Sequence, residues 1–404
     1  MLSPQSTAIV RATLPAVGGA IGEIAPLFYQ KLFAAHPELL RDLFNRGNQA
    51  NGSQQQALAG SIAAFATALL EHPDLRPDTM LSRIAHKHAS LGIRPEQYPI
   101  VREHLFAAIV EVLGDAVTAE VAAAWDEVYW LMANALIAIE DRLRREHGYG
   151  DGDSGDRPWR TYRVTERRQE TAEVVTFVVR PLDGGPVPAQ RPGQYVSVQV
   201  ELPDGARQIR QYSLSGQAAG ALRFSVKRLA GDGGPVGEVS QHLHEQAWEG
   251  TELRLSAPCG DVYLDEAGDG PVLLVSAGIG CTPMIGMLNH LAATGSTRRV
   301  ITAHADRSEQ THAFRTELQL LTGTLANAEA HVWYERPSAA DWPAERTGRI
   351  DLGTLELPAG STAYLCGPVP FLRAARGQLL AAGVPAAAIH YEVFGPDLWL
   401  GSAS

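Results

Sequence analysis

Basic charge, cysteine and long apolar runs are all scarce in this chain, and each shortage excludes something. The 34 lysines and arginines are outnumbered by 45 acidic residues, a formal net charge of −11. A phosphate-backbone partner requires a basic face, so nucleic acid is not expected. Three cysteines in 404 residues, Cys259, Cys281 and Cys366, are odd in number and widely spaced. They form neither a zinc pattern nor a disulfide framework, which fits a reducing cytoplasm. Only Arg11 precedes a weakly apolar stretch that Glu23 interrupts, so no signal peptide is read. No run reads as long and apolar enough to span a bilayer. What remains is ordinary globular composition, 45% hydrophobic and 20% charged, with length for two or three domains. The expectation is a cytoplasmic monomer without stable membrane insertion.

Three textures follow one another along the chain. From Ser3 to about His147 apolar residues recur at three- and four-residue intervals, with Ser3 a candidate N-cap and Pro4 in the first turn. The run HGYGDGDSGDRPW (147–159) is Gly- and Asp-rich and aperiodic, a linker pattern. After it the period becomes two: EVVTFVVR, GQYVSVQV, ALRFSVKRL and TELRLSAP predict an antiparallel barrel or sandwich to about residue 267. The remainder alternates short apolar strands (PVLLVSAG, RVITAHA, AHVWY, TAYLCG, IHYEVFG) with helical stretches, the pattern of an open parallel sheet. The predicted organisation is an all-α domain (1–147), a linker (148–157), a β-barrel domain (158–267) and an α/β domain (268–404).

In MLSRIAHKHASL, Leu81, Ile84, His88 and Leu91 share one stripe, and His86 lies about 200° around the helix from His88. One metal cannot use both from one side; His88 faces inward and His86 faces solvent. Taken alone, an inward histidine is a core residue satisfied by a neighbour. Other residues point further. Tyr29 is flanked by Leu27, Phe28, Leu32 and Phe33; Phe44 closes a helical stretch; Gln54, Leu58, Ile62 and Phe65 line one face. An inward histidine opposite Tyr, Gln and Leu in a Phe-rich pocket is what a five-coordinate haem requires.

In the β region, RPGQYV and IRQYSL are the most specific motifs. Arg210 can fork onto a pyrophosphate, Tyr212 offers an aromatic plane to a flavin ring, and Ser213 offers a hydroxyl to the ring nitrogen that receives hydride. Gln211 belongs to the same strand end and Tyr195 is placed to contact the same cofactor; GEVSQHLH, with Ser240, resembles the helix start beside the flavin phosphates in ferredoxin-reductase-like proteins. The alternative is ordinary strand residues with one exposed arginine. In AGIGCTP, Gly278, Ile279 and Gly280 form a turn that lets backbone approach a phosphate, and Cys281, Thr282 and Pro283 open a helix with N–H groups aimed at the anion.

The segments LFYQKLFAAHPELLRDLFN, IAHKHASLGIRPEQY and ANALIAIEDRL resemble the globin domain of bacterial flavohaemoglobins, and the likeness runs through the later domains. The resemblance implies haem b held by His88 as the iron ligand, with Tyr29 and Gln54 as distal hydrogen-bond donors and Leu58 and Phe44 shaping the pocket. Tyr98 and Glu140 match a proximal pair that gives the His88 imidazole anionic character. Lys87 matches a position that modulates haem potential, or is a solvated lysine. In the ferredoxin-reductase-like part, Cys366, Gly367 and Pro368 border the nicotinamide. Glu392, Val393, Phe394, Gly395 and Pro396 close over FAD, Phe394 stacking and Glu392 tuning potentials. Cys281 departs from the glutamine common in relatives, and Cys366 is either a reactive thiol or a buried inert one.

Hydride delivers two electrons and ferric haem accepts one, so a flavin must stand between them. A globin joined to its own NAD(P)H reductase implies a cycle that leaves iron oxidised, as the reaction of nitric oxide and O2 to nitrate does. The implied function is nitric oxide dioxygenase. Alternatives are an NAD(P)H-driven haem peroxidase or alkyl hydroperoxide reductase, and an oxygen- or redox-sensing haemoprotein. Arg307, in AHADR, stands where a 2′-phosphate would sit or is simply exposed, so NADH and NADPH both stay open.

Overall fold

A computed structural model of the chain describes residues 1–74, 77–147, 158–218, 220–229 and 237–395. The predicted linker and Pro396 lie outside the described residues. Two compact units emerge: residues 1–158 with 199–209 and 395–404, and residues 159–198 with 210–394.

Among the described residues the first unit carries seven α-helices: α1 (Pro4–Ala35), α2 (Pro37–Asp42), α3 (Arg46–Ala50), α4 (Ser53–Glu71), α5 (Asp78–Leu91), α6 (Gln97–Leu113) and α7 (Ala119–Glu146). Ser3 caps α1 as its sequence predicts: its hydroxyl accepts from the Ser6 N–H, and Pro4 opens the helix. The helix is long and apolar enough to cross a membrane by length and composition, which corrects the expectation that no such run exists. Its buried apolar residues include Val10, Val17, Ile24, Phe28 and Leu32. Ile24, Phe28, Tyr29 and Leu32 pack against Leu105, Ala108 and Ile109 of α6. Gly92 stops α5 in the left-handed region, φ 76°, and Ile93 N–H donates to the His88 carbonyl. That stop leaves His88 in the last turn of α5.

Six strands come next along the described chain, β1 (Arg160–Thr171), β2 (Val174–Pro181), β3 (Tyr195–Glu201), β4 (Arg207–Ala218), β5 (Ala221–Lys227) and β6 (Glu252–Leu255), closed in the order β1-β2-β5-β4-β3-β6. Of the two predicted architectures the barrel is the one formed. Closure leaves no sheet edge. Helix α8 (Glu238–Gln246) follows β5. Five further strands, β7 (Val272–Ala277), β8 (Val300–Asp306), β9 (Ala328–Tyr334), β10 (Thr362–Cys366) and β11 (Ile389–Glu392), form a parallel sheet ordered β9-β8-β7-β10-β11. Helices α9 (Cys281–Ala293), α10 (Arg315–Thr324) and α11 (Val369–Ala381) connect them. β7 and β10 are buried almost throughout, which is why they read as unbroken apolar runs rather than alternating ones. The chain reverses direction across the sheet between β7 and β10. Ligands of such sheets bind outside the carboxyl ends of the strands at that point.

Candidate functional sites

In the helical unit three polar side chains meet beneath α5. His88 Nδ1 lies 2.8 Å from Glu140 Oε1, the Tyr98 hydroxyl donates to the same oxygen at 2.6 Å, and the two donors are 3.1 Å apart. Glu140 on α7 is fully buried and Tyr98 nearly so. With its Nδ1 proton given to a carboxylate, the imidazole presents Nε2 as the nitrogen carrying a lone pair. Burial first, and then the Glu140 charge, hold the Tyr98 phenol far above its ordinary pKa, so it is a donor at every accessible pH. The Tyr129 hydroxyl donates to the Tyr98 carbonyl at 2.6 Å and fixes the start of α6.

The buried stripe of α5 is Leu81, Ala85 and Ala89. Ile84, His88 and Leu91 flank it, partly exposed. His86 and Lys87 are partly buried, in the same class as His88. The apolar residues of a short helix crowd a wider arc than one narrow stripe.

The second cluster surrounds Tyr29, which is 4% exposed. Phe33 stacks on it at 5.6 Å and Phe44 meets it edge-on at 5.8 Å. Leu58 and Ile62 of α4 pack on the same core. Phe44 lies in the turn after α2 rather than inside a helix. The amides of Gln54 and Gln49 both reach toward the Tyr29 hydroxyl, but burial outweighs them and keeps its pKa well above that of free tyrosine. Gln49 was not singled out from the sequence. It stands on α3, five residues long, too short to show a periodic face. Its Oε1 accepts from Gln55 Nε2 at 3.1 Å, and its buried Nε2 completes no hydrogen bond among the described residues. Next to this cluster an apolar cavity is lined by Ile24, Ile62, Phe65, Leu105, Ile109 and Trp125, among others. Trp125 turns its N–H away, onto Thr13 Oγ1.

In the second unit the flavin-type motifs gather around β3 and β4. Tyr195 and Ser213 are buried; Arg210, Gln211 and Tyr212 are partly so. Gln211 Nε2 donates to Ser197 Oγ at 2.9 Å, and Tyr212 stacks against Phe224 at 5.7 Å. Gly193 of RPGQY sits at φ 111°, where a Cβ would come within 2.6 Å of Met287 Cε and 2.7 Å of the Val262 carbonyl. Only glycine fits both demands. The Ser240 hydroxyl donates to the Gly237 carbonyl and accepts from the Leu229 N–H, which fixes the start of α8.

At the carboxyl edge of the parallel sheet, Cys366 is registered between Ser276 of β7 and Glu392 of β11. The turn Gly278–Gly280 runs against it so closely that a Cβ on Gly280 would lie 2.3 Å from the Cys366 carbonyl oxygen. The AGIGCTP, YLCGP and YEVFG motifs are therefore brought to one edge, with Thr282 Oγ1 donating to the Ile279 carbonyl and Pro283 in the first turn of α9. Cys281 points into the core toward the Ala313 carbonyl, and burial raises its thiol pKa, as it does for Cys366. Both thiols are fully or nearly fully buried, as the buried reading of Cys366 expects. Gly367 and Pro368 carry the chain from β10 into α11, Glu392 and Val393 are partly buried, and Phe394 and Gly395 are exposed.

The globin family model matches residues 27–136, and the oxidoreductase NAD-binding domain model matches residues 274–377. A flavohemoprotein of Rhizobium meliloti is 42% identical over 99% of this chain and all of its own length. One of Chromobacterium violaceum is 43% identical over 98% of each. Among solved structures, a Malassezia yamatoensis flavohemoglobin with bound FAD and heme covers 98% of this chain and 100% of its own, with a TM-score of 0.88 and 36% identity. The FAD/NAD-binding domain of a nitric oxide dioxygenase from Vibrio cholerae covers 59% of this chain and 99% of its own, at a TM-score of 0.54 and 40% identity.

Proposed function

Because the chain belongs to the flavohemoprotein family, we propose that it is a nitric oxide dioxygenase. The reaction is NAD(P)H + 2 NO + 2 O2 → 2 nitrate + NAD(P)+ + H+, with haem b and FAD as resident groups. The observation that carries this reading is the pairing of two clusters in one helical unit, His88 on the Glu140–Tyr98 pair and Tyr29 with two amides. The donor set suits an iron porphyrin: one neutral nitrogen ligand, a carboxylate behind it, and hydroxyl and amide donors in a Phe-lined space. The unpartnered Gln49 Nε2 fits a site built to donate to a further acceptor. When bound, the porphyrin iron supplies O2 binding and one-electron chemistry, and the flavin converts hydride into single electrons.

The chain's own residues have distinct tasks. Glu140 holds the Nδ1 proton of His88 and makes Nε2 a stronger donor to metal. Tyr98 neutralises part of the buried carboxylate charge, so that the proton stays on the imidazole. Tyr29, kept protonated by burial, and Gln54 donate toward the opposite side. Phe44, Phe33 and Leu58 exclude water, and the adjoining apolar cavity suits small apolar reactants. Lys87, at the protein surface beside His88, contributes a positive charge. In the reductase, Arg210 binds flavin pyrophosphate, while Tyr195, Gln211, Tyr212 and Ser213 position its ring. The Gly278–Pro283 turn binds the dinucleotide through backbone N–H groups, Cys366–Pro368 border the nicotinamide, and Glu392–Pro396 cover the flavin.

NADH consumption by the purified holoprotein that requires NO and O2 together, with nitrate as stoichiometric product, tests the proposal; NADH consumption indifferent to NO refutes it. The Glu140–His88 contact equally favours a second reading, reduction of hydroperoxides. Rapid peroxide-dependent NADH oxidation without NO would support that one instead.

A further inference from the structure

In a sheet of this order, the residues after the second strand face the adenosine ribose of a bound dinucleotide. An arginine there accommodates the 2′-phosphate of NADPH. The second strand is β8. Its last residue, Asp306, is turned inward: Oδ1 accepts from Thr311 Oγ1 at 2.6 Å and from the Arg307 N–H at 2.7 Å, and Oδ2 lies 3.5 Å from His304 Nε2. Arg307 is therefore the residue offered to solvent, its side chain 44% exposed. Its guanidinium is engaged by a residue of the other lobe: Nη2 lies 2.7 Å from Glu173 Oε2, and Lys227 Nζ lies 3.5 Å from the same oxygen.

Glu173 stands between β1 and β2 and is held by its backbone. Its N–H donates to Thr171 Oγ1 at 3.2 Å and its carbonyl accepts from the Arg228 N–H at 2.7 Å. The carboxylate is thus delivered to the end of β8 by a fixed turn. Two cations, Arg307 and Lys227, thus share one carboxylate, that of Glu173. A dianionic 2′-phosphate would have to displace Glu173 from Arg307 and would then sit beside it. A ribose with a free 2′-hydroxyl meets no such cost.

We propose that Glu173 is a coenzyme-specificity residue, which occupies Arg307 and Lys227 and so turns the enzyme toward NADH. The inference rests on the chain being an NAD(P)H-driven oxidoreductase and not on its using nitric oxide. The test is Glu173→Gln in the full-length holoprotein, with calorimetric binding of 2′,5′-ADP and 5′-AMP beside steady-state kinetics with both coenzymes. One unit of negative charge removed from a partly exposed cluster should tighten 2′,5′-ADP about tenfold and lower KM for NADPH to match, leaving 5′-AMP and NADH within about twofold. The gain should shrink at high salt and vanish when Arg307→Ala is added. Unchanged 2′,5′-ADP affinity in Glu173→Gln overturns the proposal. So does a parent protein that already prefers 2′,5′-ADP to 5′-AMP, or binds neither. A protein that shows these affinity changes but consumes no NO would sink the nitric oxide reading and leave this one standing.

Discussion

Tyr98→Phe removes one oxygen atom from the best-defined polar cluster of the helical unit. That oxygen donates to Glu140 Oε1 at 2.6 Å, between a tyrosine 7% exposed and a glutamate fully buried. The other oxygen of this carboxylate, Oε2, has no partner among the described residues. In the variant, His88 Nδ1 at 2.8 Å would be the remaining donor to Oε1. A hydrogen bond to a charged acceptor contributes about 1.5–3 kcal/mol net, so a loss of about 2 kcal/mol is expected. Phenylalanine fills the same volume, so little cavity term is added. In a Glu140→Gln background the acceptor is neutral and the same substitution should cost only about 1 kcal/mol, a coupling of about 1 kcal/mol. The assay is urea unfolding of the four proteins followed through the helical far-ultraviolet signal. A cost below about 0.5 kcal/mol for Tyr98→Phe, or an equal cost in both backgrounds, would refute the claim that the hydroxyl stabilises a buried charge.

His88→Ala should abolish high-affinity uptake of haemin into the apoprotein, read as loss of the Soret band after gel filtration; a normal Soret band would remove His88 from the site. Gly280→Ala places a methyl 2.3 Å from a backbone carbonyl, and should cost about 1–3 kcal/mol in the reductase together with loss of NADH binding; wild-type melting and affinity would show that the turn yields. One contribution to the acid response comes from His312, whose pKa burial lowers to about 2. Folded His312 stays neutral while the unfolded chain takes up a proton near pH 6.5, so stability falls as pH drops from about 6.5 toward 2, by about 1.4 kcal/mol per pH unit from this group. Calorimetry of His312→Gln between pH 7 and 5.5 should show a shallower loss than the parent, whatever the absolute cost of losing the 2.8 Å contact with Tyr334 Oη; parallel slopes would exclude the titration.

Local rules made much of this protein legible. The Ser-Pro start of α1 and the shift from helical to alternating period are each signalled within a few neighbouring residues, because capping and side-chain alternation are local backbone effects. The glycines of AGIGCTP could be identified from sequence because close backbone approach leaves a compositional mark, whereas the constraint on Gly193 of RPGQY appeared only in the fold. The inner strands β7, β8 and β10 were visible as apolar runs, being buried on both faces.

Contacts made across long sequence distances left no such mark. Gln49 lies on a helix of one turn and enters the Tyr29 cluster only through the packing of α3 on α4. His86 shares the partial burial of its neighbours because the real buried face of α5 is set by Leu81, Ala85 and Ala89. The sequence alone marked Arg307 as a cation after a strand. Only folding placed Glu173 against it, 134 positions away along the chain. Backbone preferences act over a few residues and can be read in order. The charge environment of a site is summed over space, and that sum exists only once the chain has folded.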